Sequence, residues 1–129
     1  AEPPRLLACI NQRGGSYAAV AASRLLAVNV LSEDQFEVAE RFAGLHPGER
    51  FGAGAWREGD ATGLPVLEGA ASVFECRVSE MIDAASHAIM IGDVVAVRTS
   101  PTARPLLYCD GRFTRMADEL LDPRWGHQF

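Results

Sequence analysis

Ser72-Val73-Phe74-Glu75-Cys76-Arg77-Val78-Ser79-Glu80-Met81-Ile82 and His87-Ala88-Ile89-Met90-Ile91-Gly92-Asp93-Val94-Val95-Ala96-Val97-Arg98 are two strand-length runs. In the first, Phe74, Cys76 and Val78 alternate with Glu75, Arg77 and Ser79, the period-two pattern of a half-buried strand. In the second, Ile89, Ile91, Val95 and Val97 are expected to share the apolar face. Only Asp83 to Ser86 separates the runs. A link that short joins neighbouring strands antiparallel, because a parallel crossover needs a dozen residues or more. This hairpin decides the fold class.

The flanking sequence agrees with it. Arg5 to Ile10 reads as a buried strand, and Leu25 to Val30 as a second. Leu106-Leu107-Tyr108-Cys109 and Arg112-Phe113-Thr114-Arg115 flank Asp110-Gly111, a strong hairpin signal. Two short helices interrupt the strands. One runs from Tyr17 to about Ser23, with Ser16 as its cap. The other follows Ser32 and Gln35, which have capping-box spacing, and Leu31 and Phe36, which have the spacing of a hydrophobic staple. Phe36, Ala39 and Ala43 fall on one face of this second helix, and Gly44 is placed to end it. Leu45 to Gly69, rich in glycine and proline, reads as a long loop anchored by Phe51 and Trp56. The sum is a mainly β chain that favours a small antiparallel barrel over a doubly wound sheet. One domain is expected over 1–115, with 116–129 as a C-terminal tail.

Composition narrows the function classes. Hydrophobic residues make up 48% of 129, enough for a packed core. Mean hydropathy is +0.02 and charged residues are 22%, which describes a soluble globular chain rather than a disordered one. The net charge of −5 argues against a chain-wide nucleic-acid surface. No apolar run is long enough to span a bilayer, and the start lacks a signal-peptide pattern, so the cytoplasm is the expected address. Cys9, Cys76 and Cys109 show no C-x-x-C spacing and read as buried reduced thiols. No metal site is expected.

Local motifs carry little alone. Asn11-Gln12-Arg13-Gly14-Gly15-Ser16 places a turn between a strand and a helix start, where free N–H groups and the helix dipole favour an anion. An ordinary serine cap accounts for it equally. The same turn resembles a nucleophile elbow, but Ala18 stands where the last glycine belongs, and neither His87 nor His127 is framed as a base. Gly52-Ala53-Gly54 lacks the third glycine of a dinucleotide fingerprint. Arg41 near a helix end is explained by the dipole. His87 opens a strand at a turn, where a surface histidine is the simplest reading.

The ordered set is more specific than any part of it. It comprises Pro3 to Asn11, Ala27 to Leu31 with Asp34-Gln35, and Ala39-Glu40-Arg41-Phe42-Ala43-Gly44. Phe51, Trp56, Gly63 to Ala70, Glu75 to Val78, His87 to Val94, and Pro105 to Phe113 complete it. From about Pro3 to Phe113 this series resembles the NAD(P)H:flavin oxidoreductases, the flavin reductase family.

The resemblance implies a six-stranded Greek-key FMN-binding split barrel and a homodimer, with flavin near the dimer interface. It implies hydride transfer from NADH or NADPH to FMN or FAD, and supply of reduced flavin to a partner monooxygenase. Carried over, Asn11, Gly15 and Ser16 hold the flavin phosphate or ribityl chain, and Cys9 and Ile10 lie beside the flavin. His87 faces the nicotinamide or flavin edge as the catalytic residue. Arg112 and Phe113 lie near the nucleotide. Two departures stand out. The usual Gly-Asp before the histidine is Ala85-Ser86 here, which keeps a non-catalytic flavin-binding carrier or sensor as the alternative. The family's strand pair before the double proline has no counterpart in these residues, so a trimmed or partial chain of a longer protein is expected.

Overall fold

A computed structural model of the chain describes residues 2–45 and 47–118. The tail expected over 116–129 therefore lies largely outside the described residues, as does His127. The chain is mainly β, with 47% strand and 16% helix.

In chain order the elements are β1 (Arg5–Asn11), α1 (Gly15–Ser23), β2 (Leu25–Val30), α2 (Phe36–Phe42), a 3-10 turn (Arg50–Gly52) and β3 (Trp56–Glu58). β4 (Pro65–Leu67), β5 (Ser72–Ala84), β6 (His87–Thr99), β7 (Leu106–Cys109) and β8 (Arg112–Arg115) follow. Four strands form one antiparallel sheet in the order β1-β6-β5-β2, and β3-β4 and β7-β8 are separate two-stranded ribbons.

The β5-β6 hairpin is slightly longer than its alternation suggested, and it carries two bulges. The register slips between Glu75 and Cys76 and again between Val78 and Glu80. At the first slip β6 carries the extra residue, Val95; at the second β5 carries it, Ser79. Across the first slip Phe74, Cys76 and Val78 keep one face, packed in the core under α1, as the alternation suggests, while Val73 lies in the separate core under α2. Beyond the extra residue Ser79 the alternation shifts, and Met81 is the next β5 residue packed on the α1 core. The inward face of β6 is Ala88, Met90 and Gly92, not the Ile89, Ile91, Val95 and Val97 face expected from hydrophobicity. Ile89, Ile91, Val95 and Val97 lie on the outer face, and Val94 is the branched side chain of β6 that packs on the inner core. A Cβ on Gly92 would stand 2.9 Å from the Cβ of Cys76.

Two cores result. α1 lays Val20 over Leu26, Cys76, Val78, Ala88 and Met90, with Leu6, Ala8, Ile10 and Tyr17 around them. α2 lays Val38 over Ala53, Val66, Leu67, Ala70 and Val73. Full burial of an aliphatic side chain such as Leu67 contributes about 1.5–3 kcal/mol. Only Cys76 of the three cysteines is buried; Cys9 and Cys109 are exposed, contrary to the expectation for all three. Burial pushes the Cys76 thiol pKa up, and the negative charges of Asp93 and Glu75 push it further.

The helices start differently from their sequence signals. α1 begins at Gly15 behind Gly14, so Ser16 sits inside the first turn and is not its cap. The Gln35 side chain accepts from the Ser32 N–H at 3.0 Å, as the capping box requires, but α2 starts only at Phe36. Ser32 is instead drawn into a bridge with Pro105. The buried face of α2 is Val38 and Ala39, while Phe36 is exposed and Ala43 lies outside the helix. Gly44 ends α2 as expected, at φ +76°, with Leu45 N–H bonding the Glu40 carbonyl at 2.9 Å. The segment from Leu45 to Gly69 is not a plain loop, since it holds the 3-10 turn and the β3-β4 ribbon.

Candidate active site

β1 and β6 run antiparallel with Arg5 opposite Asp93, Leu7 opposite Ile91, Cys9 opposite Ile89 and Asn11 opposite His87. Side chains directly opposite each other share a face. Cys9, Asn11 and His87 therefore stand together on the outer face, at the end of the sheet nearest the β5-β6 turn. Ile10 points the other way and packs on the inner core.

The turn after β1 is built around Asn11. Its side chain accepts from Arg13 N–H at 2.9 Å, and its carbonyl accepts from Gly14 N–H at 3.1 Å. This closes the chain sharply and brings Gly14 to the N-cap of α1. No side chain caps that helix and no acid lies in its first turn. The first-turn N–H groups of a helix have no intrahelical partner, and the dipole there is positive. A Cβ on Gly15 would meet nothing within 4 Å, so the space before the helix is open. Arg13 and the Ser16 hydroxyl add a cation and a donor. These residues fit a phosphate, the end group that FMN presents.

Gln12 locks this turn to the next one. Its N–H donates to the Ser86 carbonyl at 3.0 Å. Its amide nitrogen donates to Asp83 Oδ1 at 2.6 Å and to the His87 carbonyl at 2.9 Å. Asn11, Gln12, Arg13, Ala85 and Ser86 line a recess of about 660 Å³. Ala85 adopts φ +59°, a left-handed conformation that non-glycine residues rarely take. The Ser86 hydroxyl lies 2.8 Å from His87 Nδ1. Sequence reasoning overlooked Gln12. Its only signal was a polar side chain between a strand and a glycine pair.

A second concavity lies behind Ser16. A groove of about 290 Å³ runs between α1 and β2 on one side and Phe42, Phe51 and Trp56 on the other. The three rings meet at centroid distances of 4.9–5.7 Å. Three polar side chains hold this wall. Arg41 of α2 binds Glu37 one turn back on the same helix at 3.1 Å and reaches the Glu49 carbonyl at 3.0 Å, under Gly48 and Gly52. Asn29 donates to the Pro65 carbonyl at 3.3 Å and accepts from Leu67 N–H at 2.9 Å, joining β2 to β4. Buried Glu75 accepts from Ala61 N–H, Thr62 N–H and the Thr62 hydroxyl at 2.7–3.3 Å. Of the candidate residues, Asn11 alone lines the rim recess. The groove is mostly apolar and carries Ser16 alone of the candidate residues.

Arg112 and Phe113 do not join this group within one protomer's sheet. The β7-β8 turn is as expected, with Asp110 and Gly111 at φ +54° and +74°, the pair of positive values a type I′ hairpin needs. The ribbon is anchored where Leu106 N–H bonds the Leu31 carbonyl and Ser32 bridges Pro105. Leu31 follows β2, whose Val30 lies opposite Ser72, itself opposite Thr99. That is the end of the sheet away from His87, roughly 40 Å along β6 at about 3.3 Å per residue. Phe113 packs there on Phe36 and Tyr108.

The elbow reading fails on geometry, since no hydrogen bond joins Ser16 to a histidine or acid among the described residues. No cluster of three or more metal-ligating side chains occurs among them, and no helix among them is long and apolar enough to cross a membrane.

Comparison with known proteins bears on the family and the fold. The chain is 39% identical over 117 residues to the FMN reductase (NADH) RutF of Variovorax paradoxus, covering 90% of this chain and 64% of that protein. It therefore spans just under two thirds of that relative's length. The NADH:FAD oxidoreductase SgcE6 of Streptomyces globisporus C-1027 superposes with a TM-score of 0.82 at 30% identity, covering 89% of this chain and 70% of that one. Nitrilotriacetate monooxygenase component B from Mycobacterium thermoresistibile gives a TM-score of 0.80 at 32% identity, over 89% and 64%. These neighbours are flavin reductase split barrels, so the curled antiparallel sheet with two helices is that fold. The flavin reductase like domain matches residues 1–117, and the chain belongs to that family.

Proposed function

We propose that the protein of which this chain forms part is a flavin reductase that passes hydride from NADH or NADPH to FMN or FAD. The observation that carries the reading is the pairing of Asn11 with His87 at the rim, beside the uncapped start of α1. Asn11 shapes the turn, while Gly15, Ser16 and Arg13 offer donors and charge to a flavin phosphate. His87 and Cys9 share the face on which a flat ring system would lie. Bound flavin supplies the hydride-accepting chemistry, and the chain's residues orient the two partners and limit water around them. Relatives support the cofactor pair: RutF carries FMN and NADH in its name, and SgcE6 has a structure with NAD and FAD fragments.

The finer reading is a homodimer that serves a monooxygenase component. Arg112 and Phe113 sit at the far end of the sheet, and a second copy is the simplest way to bring them to a rim. Nitrilotriacetate monooxygenase component B supports the partnership.

The test is a titration with FMN followed by flavin fluorescence, then anaerobic addition of NADH while the visible flavin band is watched. Binding with bleaching is expected. Binding without bleaching means a carrier or sensor and overturns the reductase reading. Light scattering gives the oligomeric state, and a monomer that retains full activity removes the two-copy site.

A further inference from the structure

We propose that Ser86 is the positioning residue of His87: its hydroxyl donates to Nδ1 and holds the ring as the Nε2–H tautomer. The inference rests on the reductase reading for its consequence, and on rim geometry for its substance.

The frame is rigid on the backbone side. Gln12 of the neighbouring turn binds the carbonyls of both Ser86 and His87, at 3.0 and 2.9 Å. The left-handed Ala85 turns the chain so that the Ser86 side chain comes back over the imidazole at 2.8 Å. A serine hydroxyl can give or accept this bond, and the tautomer decides which. Two observations choose. Asp83, the acid nearest in sequence, is taken by the Gln12 amide at 2.6 Å and is not bonded to the imidazole. The Ser86 hydroxyl has no other acceptor among the described residues, so donation to Nδ1 satisfies both its own proton and the ring's lone pair. Nε2 then carries the remaining proton, on a ring that is exposed at the rim.

The consequence is one of polarity. A carboxylate before the histidine would accept from Nδ1–H and leave Nε2 as a bare acceptor, or favour the charged ring. The serine reverses this and gives the rim a neutral N–H donor. Its natural counterpart is a carbonyl-type oxygen, which a nicotinamide carboxamide and a flavin ring both carry. Ala85-Ser86 thus departs from the family's usual Gly-Asp without leaving the histidine unsupported.

The experiment is ¹⁵N NMR of the imidazole nitrogens in the full chain at pH about 8.5, where an ordinary histidine is neutral, in the wild type and in Ser86→Ala, Ser86→Thr and Ser86→Asp. Flavin-dependent NADH oxidation is measured on the same samples. The wild type and Ser86→Thr are expected to show the Nε2–H pattern. Ser86→Ala should give a tautomer mixture, and Ser86→Asp should move the proton to Nδ1. Loss of one neutral hydrogen bond should lower kcat/KM in Ser86→Ala by roughly three- to tenfold, with Ser86→Thr restoring most of it. An Ser86→Ala spectrum identical to wild type overturns the proposal, and so, where the wild type is active, does a changed spectrum with unchanged kinetics. If the wild type transfers no hydride yet Ser86→Ala shifts the tautomer, the reductase reading falls and the Ser86 assignment stands.

Discussion

Asn11 and His87 are the last pair of the β1-β6 ladder, one ending β1 before the turn into α1, the other starting β6 after the β5-β6 turn. Each is the outward-facing residue at its strand end. The pair couples the turn that would hold the flavin chain to the ring that would meet its reacting edge.

His87→Ala should lower flavin-dependent NADH oxidation by roughly tenfold or more, the scale of a lost hydrogen bond to a reacting ligand. The fold should be untouched, since His87 is exposed. Stopped-flow reduction of bound flavin, with circular dichroism as the control, measures both. Unchanged flavin reduction would take His87 out of the site.

Ala85→Gly should stabilise the protein by about 0.5–1 kcal/mol. Relief of the left-handed strain is worth about 1–2 kcal/mol, against about 0.4–1 kcal/mol for the freer unfolded chain. Urea unfolding at constant m-value measures it. A variant no more stable than wild type would put the strain of the turn at or below the entropy cost of the glycine, about 0.4–1 kcal/mol.

Glu75→Ala should destabilise by about 1–3 kcal/mol, because Ala61 N–H, Thr62 N–H and the Thr62 hydroxyl lose a shared acceptor in a part-buried site. Gly59→Ala should have a related effect, since its Cβ would lie 2.1 Å from Glu75 Oε1. Trp56 fluorescence should report the released wall. Wild-type stability in both variants would refute the role of this carboxylate.

The three thiols should fall into two classes. Cys9 and Cys109 are exposed and should react with a thiol reagent in the native state, while Cys76 should react only on unfolding. The raised Cys76 pKa also sets a sign. Unfolded chains lose this proton at a lower pH than folded ones, so stability is full below the ordinary thiol range and declines as pH rises through it. Melting temperature against pH should fall on the alkaline side, less steeply in Cys76→Ala. Equal reactivity of all three thiols in the native protein would contradict the burial.

Much of the fold was legible because hairpins declare themselves locally. Asp110-Gly111 named its own turn, and the β5-β6 pair followed from two long runs with a short link. The faces were harder to read. A bulge is a single extra residue with no side-chain signature, so Ser79 gave no warning that the inward set would shift from Val78 to Met81. Helix starts misled for a tertiary reason: Ser32 had the right spacing for a cap, but its bridge to Pro105 took it elsewhere. At the site, the residues carried over by resemblance divided. Cys9, Asn11 and His87 share a face, and Gly15 and Ser16 begin the adjoining helix. Ile10 faces inward, and Arg112 and Phe113 lie at the other end of the sheet. The supporting contacts of Gln12, Asn29 and Glu75 were invisible because each spans residues distant in sequence.

The two bulges of the β5-β6 ribbon sit on opposite strands, and their arithmetic cancels. Ser72 meets Thr99 and Ala84 meets His87 in the same register, although the pairs between the slips are offset by one. An odd count would add or remove a residue at the tip and take the turn out of its two-residue form. The aim of His87 is therefore held partly by parity, at sites several pairs away. Deleting Ser79 alone should redirect the imidazole without touching any residue of the rim, whereas deleting Ser79 and Val95 together should leave the tip as it is.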